Sequence, residues 1–517
     1  MKRTIYINQD NRHFYDLNDA AQMTKQGLQS LVDFYARNSQ VKAIMFCANV
    51  QRALFDSQVW ENFFQGDAKQ LEKRGHGATN IKLLYERELN HFKIWLERCK
   101  YHKIQGFISM RMNDCHGLEE SAFNLKDVPE WCEYWPSKFW LDNKQLRRAP
   151  YRPERSFEGA FNYSKKAVRE HHLKFIKEIF ERFDMCGFEM DWMRWPLIFA
   201  PGEEHQGKQI ITDFIGEVKQ IATFAEKRVN HKIILAHRVP ADLQSCINAG
   251  YDVIAWAKKD LAQICTLSSF LCCANFEYNI ELWKAVIGNK IKLITHVEGF
   301  VQPYATAETI LCYDFLLGAA QEALKRGADG VYLFNECYRQ SDNPKLLRYV
   351  LENAGGLKTL EQKNKRYALS YAQFHLPGES PRDVLPIPFT LSRKGSDMGR
   401  LDENISLRIP CGEIAPKGKY FLRLGFSEKL KAQAINSLKL RINTNIIKLI
   451  EKDFVDLFEF TDFYKKENFN YNMPLEIQSC AVYQIETRFL KENVNVVEFV
   501  PPQIECSLLW AEIIYRA

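Results

Sequence analysis

The sequence predicts an α/β protein: a (β/α)8 TIM barrel followed by a smaller all-β sandwich. Three observations predict it. Short apolar, β-branched runs alternate with longer amphipathic patterns from residue 3 to about residue 350, and the strand-like runs number eight. Parallel strands need crossover connections, so this alternation builds a parallel sheet that closes into a cylinder. Beyond residue 350 the helical period gives way to short alternating runs separated by turn residues. Ionisable residues also recur at the C-terminal ends of the strand-like runs, where barrels assemble their sites.

The strand-like runs are residues 4–8, 42–48, 105–112, 187–193, 232–238, 262–268, 290–298 and 330–336. Helical patterns cover 17–37, 81–102, 164–183, 210–228 and 307–326; in the fourth, Ile211, Phe214, Ile215, Val218 and Ile221 fall near helical spacing. Residues 251–259 compete with 262–268 for the sixth strand. Reading 251–260 as helix keeps the strand count at eight. A long connection, 114–162, follows the third strand and carries Trp131, Tyr134, Trp135, Phe139 and Trp140. Its aromatic rings suit either the C–H face of a sugar or a small core beneath the loop.

Ala354-Gly355-Gly356 reads as a helix stop, which places the barrel at 1–355 and the sandwich at 366–517. Strand-like runs there are 405–409, 419–424, 438–442, 493–499 and 508–515, with turn signals such as Pro416-Lys417-Gly418. Residues 446–475 stay open between helix and long loop. Packing against the barrel is the expected role of this second unit.

A chain of 517 residues is too long for one compact core, and 46% hydrophobic with 26% charged residues excludes extended disorder. The net charge of +6 is mild for this size and no basic stripe is present, which excludes nucleic acid as the expected partner. A slight positive balance is compatible with an anionic sugar, though most such charge is solvated surface. The 14 cysteines are scattered through apolar runs such as Ile44-Met45-Phe46-Cys47, the pattern of buried free thiols. No Cys/His spacing matches a zinc site, so neither metal nor cofactor is expected. The first residues lack the apolar region of a signal peptide and no run approaches ~20 apolar residues. A cytoplasmic protein without a membrane partner is the expectation; self-association stays open.

Chemistry is sought at the strand ends. Strand one leads to Asp10; strand three ends Arg111-Met112-Asn113-Asp114-Cys115-His116; strand four ends Glu189-Met190-Asp191-Trp192-Met193-Arg194. Strand five ends His237-Arg238, strand seven His296-Val297-Glu298 and strand eight Asn335-Glu336. Cleaving a glycosidic bond takes two carboxyl groups, one to protonate the leaving oxygen and one to attack or to activate water. Asp191 and Glu298, on separate strands, are the first candidates. Glu189, two residues before Asp191, shares its face of the strand. The bland reading of each acid is an ion pair with Arg111, Arg194 or Arg238. Arg111, Asn113, Asp114, His116, Trp192, Arg194, His237, Arg238 and His296 are the expected sugar contacts.

The segment Cys186-Gly187-Phe188-Glu189-Met190-Asp191-Trp192-Met193 resembles the fourth strand of family 18 chitinases, DGxDxDWE, but Met193 stands where that family has its catalytic Glu. A closer resemblance is to the family-10-like bacterial glycosyl hydrolases, over most of residues 40–300. It rests on Arg111-Met112-Asn113-Asp114, on Phe161-Asn162-Tyr163 with Val168-Arg169-Glu170, and on Gly187-Phe188-Glu189-Met190-Asp191-Trp192-Met193-Arg194 with Pro196 soon after. A barrel followed by a β-sandwich is also similar to clan A retaining glycosidases, among them β-galactosidases and enzymes acting on algal galactans. That resemblance implies a Glu nucleophile ending strand seven, which is Glu298, and an acid/base after strand four. No Asn-Glu pair follows strand four here, so Asp191 takes the second role, with Glu158, Glu189 and Glu336 as alternatives. The expected activity is hydrolysis of an oligo- or polysaccharide. The competing expectations are a carbohydrate-binding barrel without turnover and a metal-dependent sugar isomerase or lyase.

Overall fold

The computed structural model describes residues 3–10, 12–116, 135–151, 156–269, 274–301, 310–334, 343–369, 387, 389–391, 405–451, 477–499 and 506–517. Eight parallel strands close a barrel: β1 (Ile5–Gln9), β2 (Val41–Cys47), β3 (Gln105–Arg111), β4 (Gly187–Asp191), β5 (Ile234–Pro240), β6 (Ile264–Ser268), β7 (Lys292–Val297) and β8 (Gly330–Phe334). Each pairs with its neighbours in chain order, and β8 returns to β1 with Val331 opposite Ile5. All eight expected strands are present. The sixth is Ile264–Ser268, preceded by the helix Val253–Lys258, as the count of eight required.

Side chains alternate between the inside of the barrel and the helix layer. Tyr6, Ala43, Phe107, Ala236, Ile264, Ile294 and Tyr332 pack as one apolar cluster that fills the barrel below its mouth. The strand residues between them belong to the larger core under the helices. Those helices include α1 (Lys25–Ala36), α2 (His91–Tyr101), α3 (Lys166–Arg182), α4 (Glu204–Val229), α5 (Val253–Lys258), α6 (Ile280–Ile287), α7 (Tyr313–Lys325) and α8 (Pro344–Asn353). On α1, Leu28, Leu31, Val32 and Tyr35 are buried at helical spacing, and Thr24 caps the start by accepting from the Gly27 N–H.

Two expected helices are broken. The pattern at 17–37 divides into Arg12–Leu17, a short turn at Ala20–Gln22, and α1. Asn80 donates to the carbonyls of Tyr15 and Asn18 and holds the break. The pattern at 81–102 is two helices, His76–Glu86 and α2, because Glu88 takes a left-handed φ of 57° and Asn90 caps α2.

The antiparallel part forms two sheets. Its strands are β9 (Lys365–Ala368), β10 (Phe389–Leu391), β11 (Ile405–Cys411), β12 (Lys419–Phe426), β13 (Leu440–Ile442), β14 (Asn445–Ile446), β15 (Lys448–Glu451), β16 (Ser479–Ile485), β17 (Asn493–Phe499) and β18 (Cys506–Arg516). The first sheet runs β9-β18-β12-β16-β15 with β10 also on β18; the second runs β11-β17-β13-β14. The segment 446–475, left open by the sequence, contributes β15; residues 452–476 lie outside the described residues. This unit packs on α7. A Cβ at Gly318 would stand 2.3 Å from the Arg366 carbonyl oxygen, so only glycine permits the approach. Arg366 in turn bonds Glu512 through two nitrogens at 2.7 and 2.8 Å. The described cysteines are free, and most are buried. No described helix is long and apolar enough to cross a membrane.

Candidate active site

Period-two alternation on β4 aims Glu189 and Asp191 into the barrel and Met190 and Trp192 into the helix layer. Asp191 sits in register with Arg111 on β3 and Arg238 on β5, all at the barrel's C-terminal end. Its carboxylate accepts from Arg238 Nη1 at 3.2 and 3.3 Å and from the Met193 N–H at 3.0 Å, and Arg194 Nε lies 3.6 Å away. Arg194 also reaches Asp10 at 3.4 Å. Arg111 joins Asp10 and Asp114, each at 2.5 Å. Asp114 fixes His116 through both its N–H and its ring Nδ1, at 2.8 Å each. Burial works to raise the Asp114 pKa, but His116 and Arg111 outweigh it and hold the carboxyl well below the usual range. The guanidiniums of Arg238 and Arg194 lie 4.0 and 4.3 Å from the ring of Phe334.

Glu298 follows β7 and is 1% exposed. Its Oε1 lies 2.9 Å from His296 Nε2, and His296 Nδ1 lies 2.9 Å from Ser268 Oγ. Ser268 also accepts from Arg238 Nε at 3.1 Å, so one hydrogen-bonded chain runs from Glu298 through His296, Ser268 and Arg238 to Asp191. Burial pushes the His296 pKa well below its ordinary value; Arg238 and Arg194 add to the effect and Asp191 opposes it. The imidazole and the carboxyl thus face each other at hydrogen-bond distance. Tyr278 donates its hydroxyl to the His296 carbonyl and steadies the strand end.

Glu189 lies one layer deeper, accepting from Ser109 at 2.7 Å and Tyr332 at 2.9 Å through Oε1. Burial, and then the charge of Asp191, push its pKa up to about 7 against those two hydrogen bonds.

Several of the expected sugar contacts are engaged within the fold. Trp192 is fully buried among Tyr163, Phe214 and Tyr251 and donates to His237 Nδ1 at 3.2 Å. His237 Nε2 pairs with the Leu261 carbonyl oxygen at 3.1 Å, and burial lowers the ring's pKa to about 4. Both residues occupy the outward parity of their strands, so they hold helices rather than face the mouth. Asn113 clips the backbone of Phe161 twice, at 2.9 and 3.1 Å, and so anchors the long connection. Glu158 lies beside Arg148 at 3.7 Å within that connection, among loop residues. Trp140 is buried under the Arg147 guanidinium and donates to the Gly159 carbonyl; Phe139 stacks on His171. For these rings the small-core alternative holds. Trp131, Tyr134 and Glu336 lie outside the described residues. Among the described residues no group of three or more His, Cys, Asp or Glu could hold a metal ion.

The sequence reading overlooked Ser268, Tyr278, Tyr332, Phe334 and Trp195. Ser268, Tyr332 and Phe334 share inward parity with Arg238 or His296, and counting back by twos along each strand finds them.

No family model and no curated protein matches the chain. Among solved structures it is similar to the PgaB (BpsB) glycoside hydrolase domain from Bordetella bronchiseptica, at 10% identity, over 68% of this chain and 99% of that one, with a TM-score of 0.41. It is also similar to α-L-fucosidase isoenzyme 1 from Paenibacillus thiaminolyticus (10% identity, 98% and 96% covered, TM-score 0.35). A third is the N-acetylneuraminic acid synthetase from Leptospira borgpetersenii (12% identity, 65% and 73% covered, TM-score 0.28). Likenesses this distant carry no argument for the chemistry.

Proposed function

We propose that the barrel mouth hydrolyses an oligo- or polysaccharide, with Glu298 as the reacting carboxylate. One observation carries this reading: Glu298 is buried at a strand end with its carboxyl held at hydrogen-bond distance by His296, itself braced by Ser268. A reacting carboxylate needs a fixed direction, and the contact with His296 supplies it.

Asp191 takes a different part from the acid role expected of it. Its oxygens already accept from Arg238 and the Met193 N–H, so its work in this reading is to fix Arg238 and Arg194. The proton donor is then sought elsewhere, with Glu336 the remaining strand-end candidate. Retention of configuration and a galactan or other algal or plant glycan are the finer proposals, carried by the resemblance of strand seven and of the domain order to clan A enzymes.

The same ion pairs favour a second reading, a carbohydrate-binding barrel without turnover. The two separate in a reducing-end assay on neutral and algal polysaccharides, run with and without a chelator. Released reducing ends that survive the chelator support the hydrolase. Binding without release supports the second reading, and conversion abolished by the chelator overturns the carboxylate mechanism.

A further inference from the structure

Trp195 has a backbone φ of 62°, the left-handed region that a bulky side chain rarely enters. Pro196 follows it and restricts its backbone further. The neighbourhood holds this conformation in place. Arg194 is tied to Asp10 and Asp191, and Tyr251 donates to the Pro196 carbonyl. Strain at such a site is maintained where it aims a side chain.

The indole is half-buried and stands edge-on to the His116 ring, centroids 4.5 Å apart at 82°. His116 is locked by Asp114, which pairs with Arg111, which pairs with Asp10. Trp195 therefore packs partly on the core and stands beside His116 at the rim of the same mouth, next to the Asp114–Arg111–Asp10 ion pairs.

The charges around it select the kind of ligand. Arg111, Arg194 and Arg238 are each already engaged by Asp10, Asp114 or Asp191, and Glu298 adds a further acid. Among the described residues, the mouth offers no surplus of positive charge to an anionic sugar. We infer that Trp195 is a stacking platform for a pyranose ring of a neutral oligosaccharide. The inference rests on the carbohydrate reading of the mouth and adds both the contact residue and the substrate's charge class.

The test is direct binding of the full chain to an array of cello-, xylo-, manno-, chito- and β-galacto-hexaoses beside oligogalacturonides and sulfated galactan oligosaccharides. Trp195→Phe keeps an aromatic face, Trp195→Leu keeps bulk without one, and Trp195→Asn suits the left-handed backbone. The neutral hexaose that wild type binds most tightly should lose roughly tenfold in affinity in the Leu and Asn variants, and about threefold or less in Phe, a pattern set by stacking. Native melting profiles in at least one of the two ring-less variants separate stacking from packing. Equal affinity in a folded ring-less variant, preference for the anionic oligosaccharides, or no binding by wild type each overturns the inference. Glu298→Gln runs alongside. If wild type binds without hydrolysing and the ring-less variants lose affinity, the platform stands and the hydrolase reading falls.

Discussion

Asp191 and Arg238 face each other in register across β4 and β5, with both carboxylate oxygens within 3.3 Å of one guanidinium nitrogen. Their side chains are 1% and 3% exposed, so this is a buried pair, and Arg194 leans on the same carboxylate. Removing one partner of such a pair strands the other charge in a poorly solvating interior. Asp191→Ala is expected to destabilise the fold by about 3–5 kcal/mol, read from urea denaturation. Stability equal to wild type would mean that the arginines do not depend on Asp191.

Trp192 and His237 form a second test of side-chain direction. Trp192→Phe keeps most of the buried ring and removes the N–H that His237 accepts. A loss of about 1 kcal/mol in stability, with turnover unchanged, is the expected outcome. Reduced saccharide affinity at full stability would return Trp192 to the mouth.

Acid should weaken the fold through histidines kept neutral by burial. Burial lowers His91 to about 3, and His172 and His237 to about 4. Below the unfolded value of 6.5 the unfolded chain takes up protons that the fold refuses. Their contribution is thus complete above pH 6.5 and is lost as pH falls from there toward 4. Each adds a slope of up to about 1.4 kcal/mol per pH unit. His237→Asn should flatten the acid limb of a melting-temperature profile relative to wild type; an unchanged limb would contradict it.

Glu322 works in the opposite direction. It is 1% exposed on α7, and neither of its oxygens accepts a hydrogen bond among the described residues. Burial, opposed by Arg326, pushes its pKa up to about 8. The folded protein holds this proton where the unfolded chain releases it above 4.5. Stability is full below 4.5 and is lost as pH rises toward 8, by up to about 1.4 kcal/mol per pH unit. Glu322→Gln, which stays neutral, should reduce the decline between pH 6 and 8. An identical decline in the variant would contradict the assignment.

The barrel was legible because its signal is repeated: eight β-branched runs and their crossovers leave few other closures. Element breaks at Glu88 and Asn18 were not, since they depend on a left-handed residue and on a clip from Asn80. At the site, residue identity at strand ends pointed to Asp191, Arg238, His296 and Glu298. Direction did not follow from identity alone. Trp192 and His237 look as functional as their neighbours until period-two alternation is applied strictly, which sends them to the helix layer. The engagement of Asp191 was hidden for another reason: its three partners, Arg238, the Met193 N–H and Arg194, come from β5 and the turn after β4, and no spacing in the chain announces a shared ion pair.

The central claim is that Glu298, held by His296, performs the chemistry. The most direct measurement is kcat of Glu298→Gln against wild type on the polysaccharide that wild type hydrolyses, with a melting profile of each. Gln keeps the shape and the contact with His296 but cannot act as a carboxylate. A fall of about a thousandfold or more with a native melting profile is the expected result. Turnover within a few-fold of wild type in the folded variant would show that the reacting group lies elsewhere.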